Sequence, residues 1–123
     1  MVISLKRMVT NSELLDTIRF LKVQAREHKS NIWAVLAEQL SRPRRARAVL
    51  NLNHISRATA ADSLVVVPGK VLGAGAIKHA VTIGAFQFSE SARAKIEKAG
   101  GRCVGIMNFV SKYPKGSKVR ILR

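Results

Sequence analysis

The stretch VVVPGKVLGAG, residues 65–75, decides how the rest of the chain is organised. Its three consecutive valines predict a short buried strand, because β-branched residues suit strands and so apolar a run suits burial. Pro68 lacks a backbone donor and Gly69 adopts positive φ readily, so the pair predicts a tight turn that ends the strand. Lys70 is expected at that turn, and a second short strand is expected at Val71 and Leu72.

The charge of the chain indicates a polyanionic partner. There are 22 lysines and arginines against 7 acidic residues, which gives a formal net charge of +15. The cations are divided evenly between the two halves, so the folded body carries the charge rather than a tail. A compact body of this charge repels itself unless a polyanion neutralises it, and nucleic acid is the first candidate. No apolar run approaches the roughly 18 residues of a membrane-spanning helix, so no membrane partner is expected.

Length and composition predict one cytoplasmic domain. A chain of 123 residues with 47% hydrophobic content is long enough to bury a core. The single cysteine, Cys103, excludes an internal disulfide, and its apolar neighbours predict a buried side chain rather than a reactive thiol. No apolar segment of signal-peptide length precedes the first polar residues. Residues 1–9 have no clear period and are expected to form an extended arm, either disordered or ordered only by a partner.

Two amphipathic helices are predicted before residue 41. Thr10 and Glu13 have the spacing of a capping box, and apolar residues recur at helical spacing up to about His28. Ser30 is expected to cap a second, shorter helix, in which Trp33 is expected to lie in the core. The short connection predicts that the two helices pack as a hairpin. The cations largely opposite the apolar face of the first helix are Arg19, Lys22, Arg26 and Lys29.

Residues 41–47, SRPRRAR, form the strongest single candidate for a phosphate-binding element. Pro43 prevents a smooth helix, and burying four guanidinium groups without acids is energetically excluded. No acidic residue lies between Glu38 and Asp62, so the charge is not neutralised locally. Guanidinium forks bind phosphate through two parallel hydrogen bonds, so this basic loop is expected to bind phosphate. The four arginines are Arg42, Arg44, Arg45 and Arg47.

Strands and one helix are predicted beyond the basic loop. Residues 49–55 are expected to form a strand, residues 56–63 a linker, and the alternating residues 80–88 a further strand. Ser89 is expected to cap a helix that ends at Gly100 and Gly101. Short strands are predicted at residues 103–106 and 119–122, separated by a basic turn at 114–118.

The chain shows no motif for catalysis, a cofactor or a metal. A P-loop is absent because Lys70 follows the first glycine of its stretch, and a dinucleotide fingerprint would need glycine where Lys78 stands. The three histidines and Cys103 lack metal-ligand spacing. We therefore expect no catalytic residue, no cofactor, no metal site and no small-molecule substrate, and the chain is not expected to be an enzyme.

Six short motifs occur in a fixed order along the chain: IW at residues 32–33, RPRR at 42–45, VVVPGKVLG at 65–73, FSESA at 88–92, KIEKAGG at 95–101 and YPKGS at 113–117. In this order the chain resembles the archaeal-type large-subunit ribosomal proteins of the eighteen-e family, related to the bacterial large-subunit protein fifteen. The resemblance begins at about Glu13. It implies an α/β fold in which an N-terminal helical hairpin precedes an irregular β-β-α superhelical core.

The resemblance also implies the parts and the role of the chain. It implies a single ribosomal-protein domain with an arm at 1–9, a helical portion at 10–41, a basic loop at 42–47 and an α/β core at 48–123. It implies a structural constituent of the large ribosomal subunit in the cytoplasm, which binds large-subunit ribosomal RNA beside neighbouring ribosomal proteins and supports assembly and translation.

The basic residues are expected to contact mainly phosphate and sugar and to recognise folded RNA by its shape. Two alternatives stay open. A general or chromatin-type nucleic-acid-binding protein would bind duplex DNA and structured RNA comparably, and a nucleotide-binding enzyme would depend on the lysine of the glycine-rich turn. The residues expected to bind RNA are Arg42, Arg44, Arg45, Arg47, Lys70, Lys78, His79, Lys112, Lys115, Lys118 and Arg120.

Overall fold

The computed structural model describes residues 12–42 and 48–122, in which the chain forms five helices and five strands. The predicted arm, the Thr10 end of the capping box and three arginines of the basic loop (Arg44, Arg45 and Arg47) lie outside the described residues. In chain order the elements are α1 (Ser12–Glu27), α2 (Asn31–Leu40), β1 (Ala48–Asn51), α3 (Leu52–Ala58), β2 (Ser63–Leu72), β3 (Val81–Phe88), α4 (Glu90–Lys98), β4 (Arg102–Gly105), α5 (Ile106–Lys112) and β5 (Val119–Ile121).

Strand β2 is the centre of the sheet, and every strand pair among the described residues is parallel. The strand order is β1-β2-β3-β4, and β5 also pairs with β2. Along one edge, β2 pairs with β3. Along its other edge, the first half of β2 pairs with β5 and the second half pairs with β1. Val65 pairs with Arg120 of β5, and Lys70 pairs with Val49 of β1. The mixed α/β class and the helical N-terminal portion are confirmed.

The predicted tight turn at Pro68 and Gly69 is wrong, because both residues lie inside the single strand β2. Gly69 pairs with Ala48, and a Cβ at position 69 would overlap the carbonyl oxygen of Ala48. Glycine is therefore needed for the close approach of β1 and not for a turn. The pairing of β2 with β3 shifts between Val67 and Lys70, and this irregularity accommodates the proline without a reversal of the chain.

The alternating side chains of β2 divide the core between the two faces of the sheet. Val65 and Val67 pack in a cluster with α3 and α4, whereas Val66 packs in a second cluster with α1, α2 and α5. Each face is covered by helices, which explains the run of consecutive valines: a parallel sheet covered on both sides requires apolar residues at successive positions. Trp33 is fully buried in the second cluster, as predicted, and meets Phe109 edge to face with ring centroids 6.4 Å apart.

Most predicted elements are confirmed, but two short helices were not predicted. Strand β1 ends at Asn51, so the predicted strand over residues 49–55 is wrong in its second half, and the predicted linker begins within α3. Leu52 and Ile55 are fully buried one helical turn apart, and this burial on the sheet favours the helix. Helix α5 buries Ile106, Phe109 and Val110 in the same way.

The helix predicted after Ser89 is confirmed as α4. The Ser89 hydroxyl accepts a hydrogen bond from the Ala92 backbone N–H at 3.2 Å. Ser30 precedes α2 as predicted, but its side chain makes no capping hydrogen bond there and is used elsewhere.

Candidate nucleic-acid interface

The cationic surface is open to a partner, since every lysine and arginine among the described residues is exposed. At the end of α2, Arg42 Nη2 lies 3.8 Å from Glu38 Oε1, and both side chains are largely exposed. A surface ion pair of this kind contributes little stability and is readily exchanged for a phosphate contact. The described lysines and arginines are thus carried on the outside of the fold.

The first group of predicted site residues comprises the basic loop and Lys70, and the structure describes the two ends of that loop. The loop leaves α2 at Arg42 and enters β1 at Ala48, which pairs with Gly69. The next pair in the same register is Val49 and Lys70, and both side chains are exposed. The structure therefore brings Lys70 beside the strand that the basic loop enters, although Lys70 lies in a strand and not at a turn. We call the predicted set Arg42, Arg44, Arg45, Arg47 and Lys70 the loop patch, of which the structure describes Arg42 and Lys70.

The second group follows α5, where the basic turn is fixed to the helical hairpin. Trp33 Nε1 donates a hydrogen bond to the Pro114 carbonyl at 2.7 Å, and Ser30 Oγ donates to the Lys115 carbonyl at 3.0 Å. Gly116 has φ of +62°, and a Cβ there would come within 2.6 Å of Ile32. These contacts fix the backbone of the turn and leave the side chains of Lys115 and Lys118 exposed.

Two further predicted residues each form a hydrogen bond at the end of α3. Arg120 Nη1 donates to the Ala58 carbonyl at 3.0 Å. Thr59 Oγ1 donates to the Ile55 carbonyl at 2.7 Å, so the contact of 2.8 Å between Thr59 Oγ1 and His79 Nε2 requires the imidazole to donate. His79 Nε2 is therefore used within the fold, while the adjacent Lys78 is exposed. We call Lys78, His79, Lys112, Lys115, Lys118 and Arg120 the C-terminal patch.

Lys70 and the C-terminal patch lie at different ends of the parallel sheet. Strand β5 begins beside Leu64, whereas Lys70 lies six residues further along β2. At about 3.3 Å per residue, the separation along the strand is roughly 20 Å. Among the described residues, Lys70 is thus separate from the C-terminal patch, and the two do not form one continuous site.

The glycine-rich stretch after β2 is packed within the fold. Lys95 Nζ donates to the carbonyls of Gly73 and Gly75 at 2.7 and 2.9 Å. A Cβ at position 73 would overlap the Ser91 hydroxyl, and one at position 75 would overlap the side chain of Asn53. Side chains of α3 and α4 therefore pack directly against the glycine-rich stretch. They fill the space that a bound nucleotide would need there. Within residues 12–42 and 48–122, no cluster of three or more potential metal ligands occurs, and no helix is long and apolar enough to cross a membrane.

Comparison with known proteins identifies the family. A sequence model of the family that comprises the 50S ribosomal proteins L15 and L18e and their 60S counterpart matches residues 29–104. The chain is 40% identical to the large ribosomal subunit protein eL18 of Methanococcus maripaludis over 117 residues, which cover 95% of this chain and 98% of the relative. It is 44% identical to the eL18 protein of Methanoregula boonei, over 93% of this chain and 94% of the relative. The corresponding protein of Halobacterium salinarum is 41% identical over 93% of this chain and 97% of the relative.

The chain belongs to the L15/L18e family of ribosomal proteins. The relatives named above carry the names of ribosomal proteins and not of enzymes, so the expectation that the chain is not an enzyme is confirmed. The segment that the L15/L18e model matches begins at Lys29 and spans the basic loop, Lys70, Lys78 and His79.

In this L15/L18e protein, the sequence did not predict that three residues lie at the basic turn. Ser30 was predicted as a helix cap and Trp33 as core, but both also anchor the basic turn, 85 and 81 residues away in sequence. No local pattern signals a contact over that separation. Lys29 was noted only as part of the cationic face of α1; it is exposed and directly precedes Ser30, so it lies beside the basic turn.

Cys103 is half-buried and packs against the cluster that α3 and α4 cover. Burial raises the pKa of its thiol from 9.0 to about 11, with Arg93 opposing the rise and Glu97 adding to it. A thiol with so high a pKa is almost entirely protonated near neutral pH and is a poor nucleophile. The predicted unreactive role of Cys103 is consistent with this environment.

Proposed function

We propose that this chain is a structural constituent of the large ribosomal subunit, which binds ribosomal RNA through the loop patch and the C-terminal patch. The observation that carries the proposal is 40% identity to a large ribosomal subunit protein over nearly the full length of both chains. A surface on which the described lysines and arginines are exposed supports it further. In that role the chain works in the cytoplasm beside neighbouring ribosomal proteins and supports subunit assembly and translation.

The chain acts by neutralising phosphates where RNA segments crowd together. Arginine and lysine contacts to phosphate position a protein on RNA but carry little sequence information, so recognition depends on the shape of the RNA. Lys70 and the C-terminal patch are separated by roughly 20 Å along the sheet, a spacing that suits two RNA segments better than one. The chain is in this sense a clamp on folded RNA, and we treat it as a single ribosomal-protein domain with the arm at 1–9 as a variable extension.

The residues proposed to bind RNA do not act equally. Exposed side chains such as Lys70 and Lys115 are available for phosphate. Arg120 and His79 already hold the end of α3 through Ala58 and Thr59, so they also contribute by fixing that surface. The full proposed set is Arg42, Arg44, Arg45, Arg47, Lys70, Lys78, His79, Lys112, Lys115, Lys118 and Arg120.

The test is the salt dependence of binding to purified large-subunit ribosomal RNA. The logarithm of the affinity should fall linearly with the logarithm of salt concentration, with a slope of about −0.7 to −0.9 for each phosphate neutralised. The double variant Arg44→Ala, Arg45→Ala should weaken binding and make the slope shallower by about 2. The double variant Arg93→Ala, Lys98→Ala is the control, because it removes the same charge from α4.

Three results would contradict the proposal. Binding that is independent of salt would exclude phosphate neutralisation. An equal loss in the α4 control would mean that total charge matters and the patches do not. Comparable affinity for duplex DNA would favour the general nucleic-acid-binding protein instead.

A further inference from the structure

The basic turn forms one wall of an apolar groove in the C-terminal patch. The groove has a volume of about 400 Å³, within the range of roughly 300 to 1,000 Å³ typical of small-molecule sites. Its apolar side chains come from the start of β2, from the turn and from the start of β5. The lining residues are Leu64, Tyr113, Pro114, Lys115, Gly116, Ser117, Lys118 and Val119.

The groove is built before any ligand arrives. The Gly116 N–H donates to the Tyr113 carbonyl at 3.0 Å, and the Val119 N–H donates to the Gly116 carbonyl at 3.2 Å. The Trp33 indole and the Ser30 hydroxyl donate to two backbone carbonyls of the same turn. A wall fixed by four hydrogen bonds loses little conformational entropy on binding, which favours a specific ligand.

The chemistry of the groove suits a flat aromatic ring that is flanked on each side by a negatively charged group. Tyr113 supplies a ring at the groove, and that ring is itself supported by Phe109 at a centroid distance of 5.0 Å. Among the described residues, the charged ones that line the groove are Lys115 and Lys118, both exposed, and no acidic residue lines it. The exposed Lys29 directly precedes Ser30, whose hydroxyl donates to the Lys115 carbonyl.

We propose that this groove receives an unpaired nucleobase of RNA, while Lys115 and Lys118 bind the phosphates on either side of it. Unstacked bases of RNA characteristically stack on aromatic side chains, and the flanking phosphates follow the base wherever it is inserted. An apolar side chain of a neighbouring protein would fit the volume but would leave the two lysines without partners. The inference rests on the proposed RNA-binding function and adds a preference for an extruded base.

The test compares two short RNA hairpins that differ at one position. In one, a single 2-aminopurine is bulged from the stem; in the other, the same base is paired with uracil. The wild-type chain should bind the bulged hairpin about tenfold more tightly, as one stacked base contributes. The fluorescence of the bulged 2-aminopurine should be quenched on binding, as the base stacks on Tyr113.

Ser117→Leu is the decisive variant, because it adds an apolar side chain to the groove and removes no charge. It should reduce the preference for the bulged hairpin to near onefold, abolish the quenching and leave affinity for the paired hairpin unchanged. Ser111→Leu, on the exposed side of α5, is the matched control and should retain the preference.

Each other outcome is decisive. Equal binding of both hairpins by the wild-type chain would overturn the base-binding groove and leave the proposed phosphate binding intact. Loss of both hairpins to the same extent in Ser117→Leu would mean that the groove region binds phosphate only. Failure of the wild-type chain to bind either hairpin or ribosomal RNA would refute the proposed function itself.

Discussion

Replacing Gly69 tests the packing of β1 against the centre of the sheet. A Cβ at this position would overlap the carbonyl oxygen of Ala48 and lie 3.0 Å from its carbonyl carbon. Ordinary contacts begin near 3.4 Å, so β1 has to move away by roughly 1.4 Å. The obstacle is backbone and not a flexible side chain, so the overlap cannot be relieved by a change of rotamer.

The expected cost of Gly69→Ala follows from that displacement. Overpacking of a well-packed region costs about 1 to 3 kcal/mol, and each hydrogen bond lost from the β1–β2 ladder adds about 1 kcal/mol. We expect a loss of about 3 kcal/mol, which for a domain of this size lowers Tm by about 10 °C. RNA binding should weaken too, because Ala48 is the residue at which the basic loop enters the sheet.

Thermal and urea denaturation followed by circular dichroism measure this loss. Gly105→Ala is the matched control: its new Cβ has nothing within 4 Å, so stability should change by less than about 1 kcal/mol. The variant Gly69→Asn distinguishes the observed strand conformation at Gly69 from the turn that the Pro-Gly pair predicts. A turn requiring positive φ tolerates asparagine better than alanine, whereas a close approach to Ala48 makes the larger asparagine at least as damaging. An asparagine variant more stable than the alanine variant would refute this reasoning.

Three further predictions concern single contacts. Trp33→Phe leaves the Pro114 carbonyl without its donor and should cost about 2 kcal/mol in urea denaturation; an unchanged midpoint would show that the turn is not held by the indole. Cys103 has a higher pKa when folded, about 11 against 9.0, so at pH 8 its reaction with a thiol reagent should be about a hundredfold slower than in the unfolded chain. Equal reaction rates in the folded and the unfolded chain would contradict the burial of Cys103. Because the thiol has the higher pKa in the folded chain, stability should also fall as pH rises from about 9 towards 11. Ser89→Ala removes the hydrogen bond to Ala92 and should cost about 1 kcal/mol; a denaturation curve identical to the wild type would mean that the cap is dispensable.

Elements with strong local signals were predictable from sequence. Helices α1, α2 and α4 combine a helical apolar spacing with a start signal, and β3 alternates clearly enough to be recognised. Helices α3 and α5 have seven residues each, which is too short for a periodic pattern to stand out from its surroundings. Their apolar residues face the sheet, and that arrangement exists only after the sheet has formed.

The error at Pro68 and Gly69 has a different cause. The local chemistry of Pro-Gly favours a turn, but the pairing of Gly69 with Ala48 decides the conformation. That pairing joins residues 21 positions apart (69 − 48 = 21) and depends on how β1 docks. Parallel strands are never joined by tight turns, so turn chemistry is a poor guide inside such a sheet.

The candidate site was predictable in its residue types and not in its arrangement. Lys115 and Lys118 were expected to bind RNA because they are basic residues in a turn. Their orientation depends on Trp33 and Ser30, which hold the turn from a helical hairpin at the other end of the chain. The groove beside them likewise needs Leu64 from β2, and no short stretch of sequence contains both walls.

Sedimentation of cell extract through a sucrose gradient, followed by a high-salt wash of the pooled fractions, tests the central claim most directly. If the chain is a structural constituent of the large ribosomal subunit, it should travel with that subunit at low salt. It should be released only at high salt, as its phosphate contacts are replaced by counterions. A chain that stays at the top of the gradient, or that follows DNA, would contradict the account.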